Sequence, residues 1–599
     1  MAKTQDISSQ KWKDAFKVMK TNYGLDDNAI GIFAINLRFN LDDFQSIAAD
    51  SIVGGGNAKK CDVIYIDKER QLAVIAQCYV SPKSRPAAPA NKASDLNTAI
   101  AWLLSTDIKS LPEGLKGRAD ELRNAIASGE IKQVYIWYVH NLPGSKNVDN
   151  ELKAVESSAI AALHKNFSSQ DINIFAEEIC ETKLDRWYMQ AERTIIVTDQ
   201  FTIYIPEAVE INGTEWKSLL TTVTGAWLSE LYKKYKTDLF SANLRAYLGS
   251  RESDSNINNG IKLSAENEPD NFYIYNNGIT ALVLDYDLGP RTRKGRKLAI
   301  KGISIVNGAQ TTGSLGSLSG AVSPDLRVQI RFVKAGRESI VGNVVRFNNS
   351  QNRLQAADFR SNDPIQERLR AEFKTIPEAE YEGGRRGGAS DAIKRSKFTL
   401  PSYTVGQSLA AFHGDPVTAY DKKSELWTNE KNYRQIFTDR TTARHIVFCY
   451  ALLNQINDRK LKLVQKEKKD RSSLTQVDNA SLSFLDKKGA NYLLVYAISQ
   501  CMETIIGKSI PNKFDLHFAR NTSPSNATKL WSPIVDMMLP LAIQLESAFS
   551  RGRISNENVQ KTVPNFTGVV ASLATLQRQT FNEFAALTKL SAYTKPRGT

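Results

Sequence analysis

Hydrophobic and polar positions follow two different periods along the first 205 residues. Apolar residues recur at helical spacing over residues 12–23, 96–104, 119–128 and 155–167. Strand-like runs lie between them at 62–67, 72–80 and 133–140, and further strands are expected at 172–175 and 194–202. Helices that alternate with strands are typical of a sheet flanked by helices. The pattern therefore predicts an α/β domain over residues 1–205.

Between residues 206 and 450, several apolar runs end in turns rich in amide side chains. A strand-like run over 272–275 leads into Asn276-Asn277-Gly278 and a second run over 279–284. The run 298–306 ends in Asn307-Gly308-Ala309-Gln310, and the run 328–333 precedes a helical stretch that ends near Asn348. An Asn-Gly pair between two strands is typical of a hairpin turn. Repeated amide clusters also suit a recognition surface, because each amide carries a donor and an acceptor.

The rest of the chain reads mainly as helix. Helical periodicity is present over residues 491–506, 532–549 and 569–590. The charge-dense stretch 460–471 predicts an exposed loop or helix end, either a solvated face or a surface that touches a nucleic-acid backbone. The fold class predicted is an α/β multidomain protein, with domains at 1–205 and 206–450 and a mostly helical region at 451–599.

Composition supports a protein of several domains with a polyanionic partner. The 599 residues are 42% hydrophobic and 24% charged, as in ordinary globular proteins, and exceed what one core holds. The net charge of +14 favours nucleic acid, because Lys and Arg displace counterions from phosphates, although a basic surface also keeps a large protein soluble. No apolar run spans a bilayer and no secretory signal opens the sequence, so we expect a cytoplasmic protein.

Several common kinds of site are not indicated. The five cysteines form no CxxC pair, and no Cys/His run has zinc spacing, so we expect neither a structural zinc site nor a disulfide framework. No HExxH or GxGxxG motif is present. Gly507-Lys508-Ser509 resembles the end of a phosphate-binding loop, but Met502 stands where the first glycine is required.

A hairpin at residues 62–79 carries the best catalytic candidates. If residues 68–71 form its loop, Asp67 faces Leu72, and counting back places Asp62 opposite Gln77. Their side chains then converge, and Tyr79 lies further along the same face. The same register opposes Cys61 and Cys78 on the other face, where two buried thiols are expected in a reducing compartment.

The motifs of the central region resemble the AIPR family, named for abortive infection and phage resistance. The resemblance covers roughly residues 230–450 and rests on motifs in family order, which lie at 239–249, 276–280, 307–311, 347–352, 358–366 and 383–387. It implies a central α/β AIPR domain and a role in bacterial defence against phage. The family's central domain has no reaction that we assign.

The hairpin resembles the core of restriction-endonuclease-like domains, which AIPR-type proteins often carry N-terminally. The resemblance implies that Asp62 and Gln77 hold Mg²⁺ or Mn²⁺, with Asp50 or Asp42 as a further ligand. Hard oxygen ligands suit Mg²⁺, which commonly takes only one or two carboxylates. The sequence departs from the family pattern at the catalytic lysine, which is Tyr79. Lys83 is the candidate replacement, with Lys59 and Lys60 as alternatives.

Nucleic-acid or ligand contacts are expected from the central region. The candidate residues are Arg245, Asn277, Asn307, Gln310, Asn349, Gln351, Asn352, Arg385 and Arg386. Arginine binds phosphate bidentately, and the glycines around Arg385 and Arg386 let a backbone approach it.

Two interpretations from different classes remain open. In the first, the protein is a defence effector with an active metal-dependent nuclease and a phage-derived trigger. In the second, Tyr79 marks a degenerate site, and the protein is a nucleic-acid-binding or phage-sensing module that acts through a partner. Self-association is compatible with either.

Overall fold

The computed structural model describes most of the chain. The described residues are 8–41, 43–53, 59–167, 172–192, 195–241, 255–318, 320–348, 357, 360, 363–383, 398–550 and 553–591. Among them, no helix is both long and apolar enough to cross a membrane. The predicted α/β multidomain class with a helical C-terminal region is confirmed.

The N-terminal region contains a four-stranded sheet with helices on both faces. Its helices α1–α7 span Ser8–Asn22, Ala29–Phe39, Phe44–Ser51, Ala90–Ile100, Glu113–Ala127, Lys146–Asn166 and Glu181–Glu192. Its strands β1–β4 span Val63–Asp67, Leu72–Tyr79, Gln133–His140 and Asn173–Ile179 and are ordered β1-β2-β3-β4. The pair β1–β2 is antiparallel, whereas β2–β3 and β3–β4 are parallel. The alternation predicted from the sequence is therefore present.

Side-chain alternation divides this sheet between two cores. Ile64, Ile75 and Ile136 point into one core together with the apolar faces of α4, α5 and α6. Val63 and Val74 point into the other core, which also contains residues from α1–α3 and α7. That second core continues into the C-terminal helices, so the N-terminal sheet and the C-terminal region share buried apolar surface.

The central region forms a seven-stranded sheet. Strands β5–β11 span Val197–Ile205, Ala208–Asn212, Trp216–Thr224, Ile279–Leu282, Asp285–Thr292, Gly295–Asn307 and Arg327–Ala335. Their order is β5-β10-β8-β11-β7-β6, with β9 paired to β10. Helices α8–α12 span Gly225–Tyr235, Ser255–Asn267, Phe272–Tyr275, Ala309–Gly316 and Glu338–Asn348. Apolar residues of α8 and α11 pack with this sheet in a core separate from the other two.

The remaining described residues are mostly helical. Helices α13–α24 span Pro364–Phe373, Ser402–Phe412, Pro416–Asp421, Glu425–Thr428, Glu430–Ile436, Ala443–Lys469, Gln476–Leu485, Ala490–Gln500, Met502–Ile506, Pro524–Met538, Asn556–Leu573 and Arg578–Leu587. Short strands β12–β17 span Glu380–Tyr381, Thr399–Leu400, Leu516–Phe518, Phe549–Ser550, Arg553–Ile554 and Thr588–Leu590. The domain boundaries at 205 and 450 remain predictions, and α18 runs through position 450.

One local prediction is wrong, and a second is right about a helix end but wrong about its exposure. Residues 272–275 form the short helix α10, in which Phe272 alone is buried, because backbone bonds from Ile274 and Asn276 close helical turns there. The stretch after Arg459 continues α18 to Lys469. The helix end is therefore as predicted, but Lys460 is only 4% exposed, and the charges of Asp50 and Asp486 act on it from other parts of the chain.

Candidate functional site

The predicted register of the first hairpin is confirmed. Asp67 pairs with Leu72 and Ile64 pairs with Ile75. Asp62 lies one residue before β1, and its backbone N–H donates to the Ala76 carbonyl at 2.8 Å. The ladder thus continues far enough to bring Asp62 beside Gln77.

Three donors converge on the Asp62 carboxylate. The Gln77 amide donates from Nε2 to Oδ2 at 2.6 Å, and the Cys78 backbone N–H donates to the same oxygen at 2.8 Å. The Asn28 amide donates from Nδ2 to Oδ1 at 2.7 Å. The predicted convergence of Asp62 and Gln77 is therefore present, and Asn28 completes it from the turn before α2. These donors fix the orientation of the carboxylate.

The charge of Asp62 is only partly compensated. Burial raises the pKa of this carboxyl group above its usual value, and Asp26 adds to the rise. The Cys78 N–H and the ammonium groups of Lys468 and Lys92 act in the opposite direction. Lys468 is shared, because its Nζ lies 3.2 Å from Asp26 Oδ2. A further cation bound in the pocket would therefore stabilise the ionised Asp62 carboxylate.

One oxygen in the pocket has no hydrogen-bond partner. Gln77 is 7% exposed, and its Nε2 is turned towards Asp62. Its Oε1 is buried and receives no hydrogen bond from any part of the chain that the structure describes. A buried carbonyl oxygen without a hydrogen bond destabilises the fold by about 1–3 kcal/mol. A cation that binds oxygen ligands, such as Mg²⁺, would offset that loss.

Lys92, and not Lys83, lies beside Tyr79, which occupies the position of the family's catalytic lysine. Lys92 is in the first turn of α4, and its Nζ lies 5.6 Å from the centre of the Tyr79 ring. Lys83 is exposed in the following loop, and no described hydrogen bond or ion pair joins it to Asp62. Lys59 lies over the Trp102 ring, and Lys60 pairs with Asp95 at 3.2 Å.

Asp50 is held in a different environment. Its carboxylate pairs with Lys488 at 3.0 Å, and its backbone carbonyl accepts a bond from Arg118 Nε at 3.2 Å. Burial opposes ionisation, but the charges of Lys488, Lys460 and Arg118 prevail and lower the pKa of Asp50 to about 2. The structure therefore does not bring Asp50 together with Asp62 and Gln77. Asp42 lies outside the described residues.

The predicted opposition of Cys61 and Cys78 is wrong. Cys78 lies in the core with α2, whereas Cys61 lies in the core with α4–α6. Cys61 precedes the first residue of β1, so strand alternation does not reach it, and its Sγ donates to the Val63 carbonyl at 3.3 Å. Both are buried free thiols, as expected.

Three of the predicted amides lie at one end of the central sheet. Asn307 is the last residue of β10 and pairs with Thr280 of β8, while Asn277 lies just before β8. Gln310 is in the first turn of α11. Asn277 is exposed, and Asn307 and Gln310 are half-buried. The predicted residues Arg245, Asn349, Gln351, Asn352, Arg385 and Arg386 lie outside the described residues.

The Asn307-Gly308 pair also forms the turn between β10 and α11 at this end of the sheet. Gly308 adopts φ 89° as the strand turns into α11, and a Cβ there would lie 2.6 Å from Ile279 Cγ1. Arg331 adds a cation, since its Nη2 donates to Thr280 Oγ1 at 3.1 Å and to Asn348 Oδ1 at 2.9 Å. Both the turn interpretation and the recognition interpretation fit this geometry.

Sequence reasoning missed four residues of the Asp62 pocket. Asp26 and Asn28 stand in a polar segment before the apolar helix α2, which is a signal for a turn and not for a site. Lys92 is in the first turn of a helix and Lys468 is near the end of another, so no local pattern joins either to Asp62. Only the fold brings them together.

Comparison with known protein families gives a match to the middle of the chain. Residues 240–536 match the family model described as AIPR protein, which extends beyond the stretch 230–450 where we find the motifs. No curated protein and no solved structure matches the chain. Residues 240–536 of this chain are therefore similar to AIPR proteins.

Proposed function

We propose that this chain acts in bacterial anti-phage defence, as in abortive infection, and that its N-terminal region is a metal-dependent nuclease with a restriction-endonuclease-like core. The AIPR match supports the defence role, and the net charge of +14 supports a nucleic-acid partner. One observation carries the nuclease part: the Asp62 carboxylate lies beside Gln77, whose Oε1 is buried without a hydrogen-bond partner among the described residues.

The residues of the pocket fit a hard divalent cation. Asp62 supplies an anionic oxygen, and Gln77 Oε1 supplies a neutral one that nothing else in the described chain uses. Mg²⁺ commonly binds through one or two carboxylates and completes its shell with water and phosphate. A bound Mg²⁺ or Mn²⁺ would stabilise negative charge on a phosphate and lower the pKa of its water. Asp50 is left out of this proposal, because Lys488 already pairs with its carboxylate.

The chain's own residues prepare this chemistry. Asn28 and the Cys78 N–H hold the Asp62 carboxylate in one orientation, so no reorganisation is needed when a substrate arrives. Lys92 takes the place of the missing lysine and attracts the phosphate from above the Tyr79 ring. The central amides Asn277, Asn307 and Gln310, with Arg331, would contact nucleic acid or a phage-derived trigger.

A second function is favoured by a different observation. Both oxygens of Asp62 already accept hydrogen bonds, from Asn28, Gln77 and Cys78, and the nearby carboxylate of Asp26 is paired with Lys468. A carboxylate whose two oxygens already accept three hydrogen bonds suits a degenerate site that binds nucleic acid without cutting it. The protein would then act through a partner.

Cleavage of labelled nucleic acids separates the two functions. Purified protein is incubated with single- and double-stranded DNA and RNA in Mg²⁺, Mn²⁺ or EDTA, alongside Asp62→Asn and Gln77→Leu. Metal-dependent cutting that both variants lose supports the nuclease. Cutting that persists in a folded Asp62→Asn protein eliminates this site.

The same preparations distinguish a binding module. No cutting by any protein, together with binding that weakens steeply with salt, supports the second function. In that case Tyr79→Lys, which restores the family's lysine, is the informative variant. A gain of Mg²⁺-dependent cleavage in Tyr79→Lys marks the site as a decayed nuclease.

A further inference from the structure

Two histidines and a cysteine meet between the helices of the C-terminal region, far along the chain from the Asp62 pocket. His445 and Cys449 are four residues apart on α18, which places them on one face of that helix. His413 follows the last residue of α14. The ligand atoms His413 Nε2, His445 Nε2 and Cys449 Sγ all lie within 4.8 Å of one another.

The spacing of these atoms is close to that of ligands around one ion. His413 Nε2 lies 2.9 Å from His445 Nε2, which in turn lies 3.4 Å from Cys449 Sγ. Bonds of about 2.0–2.1 Å to nitrogen and about 2.3 Å to sulfur in a tetrahedron separate two nitrogens by about 3.3 Å, and nitrogen from sulfur by about 3.6 Å. These two pairs therefore need shifts of a few tenths of an ångström, whereas His413 Nε2 and Cys449 Sγ, which lie within 4.8 Å of each other, would have to approach by up to about 1 Å.

The second ring nitrogen of His445 is fixed as it is in metal sites. Its Nδ1–H donates to the Leu516 carbonyl at 2.8 Å, which leaves a lone pair on Nε2 facing His413 and Cys449. Such a backbone bond sets the tautomer and ring orientation of a ligating histidine. His445 and Cys449 are fully buried, and the Phe514 ring stacks on His413 at 3.8 Å. The three groups are thus pre-oriented, with His413 on the partly exposed side of the site.

Charge in the surroundings is mixed. Burial lowers the pKa of His445 to about 4 and also lowers that of His413. Burial raises the pKa of Cys449 well above its usual value, and the charge of Lys513 lowers it, although that charge opposes a bound cation. Binding would release the Cys449 proton, as it does at thiolate sites generally.

We propose that His413, His445 and Cys449 bind a single Zn²⁺ ion, with water in the fourth position. Two imidazoles and one thiolate are ligands that select zinc over Mg²⁺ or Ca²⁺. The ion would tie the end of α14 to α18. The pair His445 and Cys449 alone does not indicate a zinc site, because 32 residues separate His413 from His445.

Metal content provides the first test. The full-length protein is purified without chelator and analysed by mass spectrometry of its elements, with Cys449→Ser and Cys501→Ser in parallel. Cys501 is the matched control: it is a buried thiol whose Sγ donates only to the Ala497 carbonyl in the described structure. We expect one Zn²⁺ per chain in wild type and in Cys501→Ser. Cys449→Ser should bind at least ~100-fold more weakly, because losing even a group that orients a ligand costs about 10–100-fold.

Cobalt substitution tests the ligand set without relying on a variant that fails to fold. Wild-type protein stripped of metal is titrated with Co²⁺, and a sulfur-to-cobalt charge-transfer band with tetrahedral visible bands is expected at one equivalent. His413→Gln should alter this spectrum while near-ultraviolet circular dichroism stays native. Wild-type protein that neither contains nor takes up zinc, or a cobalt spectrum without a thiolate band, would overturn the proposal.

Discussion

Two aspartates, Asp50 and Asp62, lie twelve positions apart and have opposite surroundings. Three cations act on Asp50 and lower its pKa to about 2. Neutral amides and a backbone N–H surround Asp62, and burial raises its pKa. The charge of the ionised Asp50 carboxylate is already compensated by these cations, so Asp50 would bind a metal ion only weakly. A carboxylate that is held in one orientation but only partly compensated in charge would be stabilised by a metal ion. We therefore propose that Asp62 carries the chemistry and that Asp50 contributes to stability.

The group around Asp50 is a buried ion cluster that joins distant parts of the chain. We define it as Asp50, Arg118, Glu121, Asp486 and Lys488. Lys488 is only 5% exposed in its side chain and lies 3.0 Å from both Asp50 and Glu121. Arg118 Nη1 lies 3.3 Å from Asp486. These pairs connect α3 and α5 to the segment before α20, so the cluster fixes the C-terminal helices against the N-terminal region.

The largest expected effect comes from removing the central cation of this cluster. Lys488→Met leaves the buried Glu121 carboxylate and the half-exposed Asp50 carboxylate without their partner, and an uncompensated buried charge typically costs about 3–5 kcal/mol. Urea unfolding monitored by circular dichroism measures the loss. The matched variant is Lys468→Met in the Asp62 pocket, where we expect less than about 1 kcal/mol because the pair with Asp26 is partly exposed. If the two variants lost the same free energy of unfolding, the ion cluster around Asp50 and the Asp62 pocket would not differ as we describe.

The next effect is on cleavage and concerns the missing lysine. Lys92→Gln should reduce nuclease activity about 100-fold, because a preorganised charge at a reacting phosphate commonly contributes that much. Lys83→Gln should leave it unchanged, since no described ion pair or hydrogen bond joins Lys83 to Asp62. Initial rates under single-turnover conditions measure both. If Lys83→Gln lost activity and Lys92→Gln did not, Lys83 would be the replacement for the missing lysine, as the sequence predicts.

A smaller difference is expected between the two aspartates themselves. The shift of Asp50 from 3.8 to about 2 corresponds to roughly 2.4 kcal/mol, which we discount to about 1 kcal/mol because its side chain is 44% exposed. Asp50→Asn should lower the free energy of unfolding by that amount at neutral pH. This contribution is present above the unfolded pKa and is lost as the pH falls towards 2.

Asp62→Asn should behave in the opposite way with pH. The folded pKa of Asp62 is raised, so its ionisation destabilises the fold, and the penalty is fully present above the folded pKa. Relative to wild type, Asp62→Asn should therefore gain stability as the pH rises through that pKa, offset by about one lost hydrogen bond. Unfolding of both proteins across a pH series checks the sign. A variant that loses stability with rising pH contradicts the raised pKa.

The local sequence pattern was sufficient to predict the register of the Asp62 hairpin. It was insufficient to predict which distant residues surround Asp62 and Asp50. The register followed from a four-residue loop and a period of two, so Asp62 and Gln77 were paired correctly. The partners Lys468 and Lys488 could not be found this way, because hundreds of residues separate them from Asp62 and Asp50.

Predictions from composition failed for a related reason. High charge density indicated exposure for Lys460, yet tertiary neighbours bury it, and that burial lowers its pKa to about 8. The zinc ligands proposed above likewise meet only through the packing of two helices. Residue type indicates what chemistry is available, whereas contacts between distant segments decide where it is used.

Binding of Mn²⁺ tests the central claim most directly, because it does not depend on knowing the substrate. Isothermal titration calorimetry and counting of bound Mn²⁺ by electron paramagnetic resonance are applied to wild type, Asp62→Asn and Asp50→Asn. We predict one site in wild type and in Asp50→Asn, and its loss in Asp62→Asn. Mn²⁺ binding that survives in Asp62→Asn, or that disappears in Asp50→Asn while the fold is retained, would contradict the assignment of the metal site to Asp62.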